Sequence, residues 1–475
     1  MPQADQCLTY EASACRRDDS DLVDNIGRYT EGQLGLFHVK LAADRMVANE
    51  YWGKPNSKSP WSLWKINALL GRKAIAAGWK AKTLPPFRPT WELILKMALP
   101  ANILDAFQQF CPHDKLEEWV VGVTDRQSIQ EVAKTIHTEL CSAQRVSRLR
   151  RSRPAERDVP LENIILFNRD ALILRELKYA IKRGDVGSVL NILSHWMLMF
   201  RGTGKMPKYA DALFHVLVHL KHMNPKLRQV LFLRIAFHTD TLQCSDAFLT
   251  NWLANLTGKV DGFKEMDLLQ EHQNFWVKVS FQLVCLCYLQ VSWRLQIIYS
   301  ARGSNRSWSW LTMVTVSIFT LRDVIRCIQV QYKIPHNSTS HTSPAAEKDI
   351  KDVRDYLEAQ SLQSYLPQRE NNTHVTPVRD LMVSGSAYAN KAGAFKNFRR
   401  DMRHTTNKGT PDSNRSSQPE IGADDDDSGD HDLGQEVDLD MDDLAMDEEE
   451  FPPGTDVSDF VAMTKEVIDE LSRYD

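Results

Sequence analysis

A helix-periodic stretch, Lys264–Lys278, carries the side chains best suited to chemistry in this sequence. At about 100° per residue, Asp267, Glu271, Asn274 and Lys278 fall on one stripe, with Leu268, Leu269, Phe275 and Trp276 on the other side. Two carboxylates, an amide and an ammonium in a row can face water, a partner, or a divalent metal bound to nucleic acid. Metal-dependent phosphoryl transfer needs two or three carboxylates converging on its cations. Nothing adjacent to the stripe completes such a set.

The second candidate is electrostatic. Arg145, Arg148, Arg150, Arg151 and Arg153 make the densest positive cluster in the chain, at the end of a helical pattern running over Asp125–Arg148. Guanidinium groups suit phosphate oxygens; the alternative is a solvated linker flanked by Pro154 and Pro160. Arg201-Gly-Thr-Gly-Lys205 has the look of a phosphate loop but lacks its glycine spacing and its Lys-Ser/Thr pair, so it reads as a helix C-cap and turn. His215, His219 and His222 share a face, yet no carboxylate on that face would orient them. With His195 they read as solvated or core histidines.

Charge is divided along the chain. From Glu420 onward there are 22 acidic residues against Lys465 and Arg473, whereas the residues before it hold 56 basic and 40 acidic ones. A basic body with an acidic tail is concealed by the net charge of −4. The eight cysteines show no C-x-x-C pair and no zinc-like spacing, which fits reduced thiols in an intracellular protein. The apolar run Val279–Trp293 is shorter than the ~20 residues a membrane span requires, and no membrane partner is expected.

The elements that must position these groups are mainly α-helical. Periodicity predicts helices over Leu34–Tyr51, Trp61–Trp79, Thr90–Met97, Pro100 to Phe110, Ile164–Arg183, Val186–Phe200, Ala210–His222, Ser309–Tyr332 and Ala345–Leu362. Residues 1–20 read as a loosely ordered lead-in. Residues 21–403 read as a helical domain with a division near 145–160, and 404–475 as a disordered acidic tail. Within that tail Val437–Phe451 alternates acidic and apolar residues, and 458–472 suits a short helix.

Four stretches carry a family resemblance: Gly35-Leu-Phe-His-Val-Lys40, Asn251-Trp-Leu-Ala-Asn-Leu-Thr-Gly258, Asp267-Leu-Leu-Gln-Glu-His-Gln-Asn274 and Gly303-Ser-Asn-Arg-Ser-Trp308. With the helices between them, over roughly Ala4 to Arg403, the chain resembles a fungal domain of unknown function expanded in mushroom-forming species. The resemblance implies descent from a mobile element and a distant similarity to transposases with a ribonuclease-H-like core. A Gly-Asp-Gln-Leu-Thr element of the family corresponds here to Ala4-Asp5-Gln6-Cys7-Leu8-Thr9. On that reading Asp5 and Glu271 become catalytic candidates, and Asp5, Asp267, Glu271 and Asn274 become ligands for Mg²⁺ should activity remain.

The same comparison implies strands upstream of Asp5, so the chain reads as truncated at its N-terminus. Residues 231–243 and 279–296 interrupt the family pattern as intron sequence read through in frame would. The expectation is therefore a degenerate, transposase-like protein that holds nucleic acid without catalysis. The competing expectation is a nuclear interaction protein whose acidic-apolar tail recruits a basic or chromatin partner.

Overall fold

In a computed structural model, the described residues are 34–54, 59–222 apart from 82, 114 and 124, the pieces 235–237, 247–249, 252–255 and 260–268, positions 327 and 331, and 346–391 apart from 368 and 370–374. The expected lead-in, the helix over Ser309–Tyr332 except for positions 327 and 331, which are helical, the run Val279–Trp293 and the acidic tail lie outside them. The described residues are mainly α-helical. They fall into two compact units. Those of 34–180, 185–222 and 346–391 belong to the first, and those of 181–184 and 235–268 to the second.

Helix α1 (Leu36–Tyr51) is buried on almost every side, including Lys40 and Asp44. A helix surrounded in this way needs partners for its polar groups. Asp44 accepts the Thr90 hydroxyl at 2.6 Å, and the Lys40 ammonium lies 5.3 Å from the Phe37 ring and 5.5 Å from that of Trp91.

The helix predicted over Trp61–Trp79 is only α2 (Leu63–Leu69), capped by the Ser62 hydroxyl, which accepts from the Lys65 N–H. Gly71, at φ +60°, stops it, because that left-handed conformation costs glycine nothing. The chain beyond is tied to the end of α1 instead. The Gly78 N–H donates to Asn49 Oδ1 at 2.8 Å and the Trp79 Nε1–H to Glu50 Oε2 at 2.6 Å.

The break expected before Pro100 is absent. Helix α3 (Phe87–Trp91), a π-helical segment (Glu92–Ala98) and α4 (Leu99–Phe110) follow end to end. Proline donates no N–H and crowds the carbonyl one turn back. The wider π turn, in which the Leu99 N–H donates to the Ile94 carbonyl, lies at that level of the helix. Burial of Leu93, Ile94, Met97 and Ala101 favours keeping the helix going.

Helices α5 (Leu116–Gly122), α6 (Arg126–Leu140) and α7 (Ala143–Arg151) follow, then a 3₁₀ turn, Pro154–Glu156. Asp125 caps α6 and Ser142 caps α7, each side chain accepting an N–H of the first turn. Long α8 (Val159–Arg183), α9 (Val186–Thr203) and α10 (Pro207–His222) match their periodicity, α8 beginning five residues earlier than predicted. Late in the chain come α11 (Glu347–Ala359) and α12 (Leu381–Lys391).

Helices α9 and α12 cross at backbone contact. A Cβ on Gly202 would collide with the Leu381 carbonyl, and one on Gly385 with the Leu198 carbonyl. Gly202, which from sequence belonged to a helix end, is therefore a helix-crossing residue, and α9 closes at Gly204.

In the second unit, β1 (Ile235–Phe237), β2 (Ala247–Leu249), β3 (Leu253–Asn255) and β4 (Lys264–Glu265) form an antiparallel sheet in chain order. The Phe263 N–H donates to the Lys182 carbonyl at 3.2 Å. Strand β4 corrects the helix predicted to start at Lys264. Lys264 and Glu265 are buried and pair with Ala254 and Leu253, and helical geometry begins at Met266. Backbone pairing at a buried edge overrides helical periodicity there.

Candidate nucleic-acid interface

Of the four stripe residues only Asp267 is described, half-buried in the helical turn after β4. Glu271, Asn274 and Lys278 lie outside the described residues, as does Asp5. Among the described residues no group of three or more His, Cys, Asp or Glu side chains could hold a metal ion.

The five arginines are brought together, and they divide by what they touch. They do not form a linker, because Ser142 caps α7 and Val146 and Leu149 bury one of its sides. Arg150 turns inward: its Nε donates to Glu162 Oε2 at 3.1 Å and its Nη2 donates to the Val378 carbonyl. Arg145 is half-buried beside Glu139, Nε to Oε2 at 3.2 Å. Arg148 is 58% exposed, with Glu139 at 3.8 Å. Arg151 and Arg153 are exposed and form no ion pair among the described residues. Three guanidinium groups thus face water at the end of α7 and the start of the 3₁₀ turn.

Behind them lies a set of buried polar residues that periodicity did not single out. Asp158, Glu162, Asn163, Asn168 and Asp170, in or just before α8, are fully buried. Asp158 accepts Arg369 through both oxygens at 3.0 Å, and its Oδ2 takes the Leu366 N–H at 2.9 Å. Glu162 accepts Arg157 at 2.9 and 2.7 Å besides Arg150. Asn163 donates to the Thr376 carbonyl and accepts the Val378 N–H, at 3.2 and 2.8 Å. Asp170 takes the Tyr51 hydroxyl at 2.6 Å and Arg169 Nε at 2.7 Å, and Arg169 Nη1 reaches Asp380 at 3.0 Å. Burial pushes the Asp170 carboxyl above its ordinary pKa, against the lowering pull of Arg169 and of the Tyr51 hydrogen bond. The available signal was the set of carboxylates and amides interrupting an apolar run, Leu161 to Leu174.

The remaining candidates stay apart. His195 is exposed on α9, a ring nitrogen 2.7 Å from the Asn191 carbonyl. His215 is half-buried and His222 exposed on α10. Arg201–Lys205 is the predicted C-cap and turn, with the Thr203 hydroxyl accepting the N–H groups of Lys205 and Met206. The described cysteines are free thiols, and burial pushes Cys141 up to about 12.

The sequence profile of a family of unknown function, DUF6589, matches residues 8–341. The chain belongs to that family. No functionally described protein and no solved structure matches it. In this DUF6589 chain the match stops before α11 and α12, yet both helices pack into the first unit. Gln363 reaches Asn102, Arg369 reaches Asp158 and Gly385 seats on α9. The arginine cluster, α8 and β1 to β4 all lie within the matched residues. Among the described residues no helix is long and apolar enough to cross a membrane.

Proposed function

We propose that this DUF6589 chain is a transposase-derived protein that holds nucleic acid through its phosphates, with Arg148, Arg151 and Arg153 as the contacts. The observation that carries this reading is the division of the arginine cluster. Arg145 and Arg150 serve the fold, while the other three face water on or just after a capped, packed helix, Arg148 keeping only a 3.8 Å approach to Glu139. A fold keeps exposed like charges close together at a small cost in repulsion, and phosphate is the anion that guanidinium geometry suits. The excess of 56 basic over 40 acidic residues before Glu420 adds long-range attraction. Of the candidates for catalysis with Mg²⁺, Asp5, Glu271 and Asn274 lie outside the described residues and only Asp267 within them.

A salt titration of DNA binding by the chain with and without residues 405–475 tests the reading. Phosphate-driven affinity falls steeply with salt and rises when the acidic tail is removed. Replacing Arg148, Arg151 and Arg153 by Gln should flatten the salt slope by about three charges' worth. Binding indifferent to salt and to those three residues rejects it. The acidic-apolar alternation of Val437–Phe451 favours a second reading, a tail that recruits a basic protein partner. Retention of such a partner by residues 405–475 alone, with no DNA affinity in the whole chain, would favour that one.

A further inference from the structure

The 3₁₀ turn that follows the arginine cluster is flanked by an exposed aromatic ring. The Tyr365 hydroxyl donates to the Glu156 carbonyl at 2.6 Å, and the Glu156 N–H donates to the Arg153 carbonyl at 2.8 Å, so Tyr365 and Arg153 border the same three-residue turn. The ring is held from both ends. Next to it in the chain, the Leu366 N–H donates to Asp158 Oδ2 at 2.9 Å, and Arg369 grips the same carboxylate. Asp158 is fully buried, and its Oδ1 also accepts the Leu161 N–H in the first turn of α8. Even so, Tyr365 is 40% exposed and Leu366 is 42% exposed. An aromatic side chain fixed in orientation while much of its surface stays in water has its ordering cost already met, which favours a flat ligand.

We propose that Arg148, Arg151, Arg153 and Tyr365 form a site for single-stranded nucleic acid, in which the arginines hold backbone phosphates and an unpaired base stacks on the Tyr365 ring. The proposal rests on the phosphate-binding reading above and adds to it the state of the strand. In a duplex the bases are stacked on one another and only the phosphates reach the arginines. In a single strand a base is free to leave its neighbour for an aromatic face, whatever its identity. A positive run beside an aromatic platform is the combination that strand binding uses.

Fluorescence anisotropy with the full-length protein, a labelled oligothymidylate of about 20 nucleotides and a duplex of equal length tests this, since single-strand sites of this kind cover roughly 4–16 nucleotides. Tyr365→Ala should weaken single-strand binding about tenfold, the loss expected for one stacked base, and leave duplex binding unchanged. Tyr365→Phe, which keeps the ring and loses only its tether, should retain most of the affinity. Where alanine lowers the melting temperature, Tyr365→Leu keeps apolar bulk without a π-face and should show the same selective loss. Wild-type single-strand affinity in both Tyr365→Ala and Tyr365→Leu, or an equal loss on duplex, overturns the stacking site. If replacing the three arginines by Gln changes neither affinity, the phosphate-binding reading itself falls. Weakened binding to both probes in that variant, with single-strand binding intact in Tyr365→Ala, overturns only the stacking.

Discussion

Helix α6 and the first half of α8 are both rich in polar side chains, and they treat them in opposite ways. Of α6 only Ile136 and Leu140 are buried, so Arg126, Gln127, Gln130, Glu131, Lys134 and His137 stand in water. In and just before α8, Asp158, Glu162, Asn163, Asn168 and Asp170 are fully buried, and their partners come from α1, the last residue of α6, α7 and the segment before α12. An exposed polar group exchanges one water contact for another and is worth little. A buried one must be satisfied, and deleting its partner leaves the whole desolvation cost exposed. Helix α7 lies between these regimes, and its arginines divide accordingly: Arg150 belongs to the α8 network, Arg151 to the surface.

Removing α11 and α12 by ending the chain at residue 341 should break the comparison most severely. Asp158, Asn163 and Arg169 would lose their partners and α9 its glycine contact, so the first unit should lose its cooperative melt, a stability of order 5–15 kcal/mol. A native-like circular dichroism transition in the shortened chain would show that the buried network is dispensable. Next in size, Arg150→Ala should cost about 3 kcal/mol by stripping Glu162 of one of its two guanidinium partners. Arg151→Ala should stay within about 0.5 kcal/mol. Equal losses in urea unfolding would erase the distinction between the inward and outward arginines.

Asp105 on α4 sharpens the contrast through pH. Burial first, then the nearby Glu358 carboxylate, raise its pKa from 3.8 to about 7, while Arg354 opposes the rise. The folded state therefore binds the proton more tightly than the unfolded chain, and stability falls as pH climbs from about 4 to about 7. At about 1.4 kcal/mol per pKa unit the ceiling is about 4 kcal/mol, and relaxation around the site should leave about 2. Asp105→Asn should raise the melting temperature at pH 8 and change it less at pH 5. A pH-independent effect would rule the carboxyl out as its source. A local effect is expected on the exposed side: Asp125→Ala removes the α6 cap and should cost about 1 kcal/mol, seen as faster amide exchange in the first turn of α6 alone.

Much of the helical framework was legible because its signals are local. Helix α1 and helices α8 to α10 follow apolar periodicity, and Asp185, Gly184 and Gly204 sit at ends where caps are expected. Gly71 was a readable stop that the apolar pattern around Trp61–Trp79 obscured. Pro100 was a readable break that the structure passes through, because the surrounding residues are buried enough to favour a π turn over an end. Lys264 shows the opposite failure, a helical pattern whose first residues are taken by strand pairing with Leu253 and Ala254.

By itself, the sequence determined the helical class, the DUF6589 membership, the separation of a basic body from an acidic tail, and the presence of five arginines in nine residues. All of these depend on composition or on neighbours within a few turns. Which arginine faces Glu162 and which faces water was settled only by the tertiary structure. So was the burial of Asp158 and Asn163 beneath a segment more than 200 residues away, and so was the seating of Tyr365 on the turn that follows Arg153. A side chain's charge is written in the chain, but its dielectric surroundings and its partners exist only once distant segments meet, and those decide whether the charge serves the fold or a ligand.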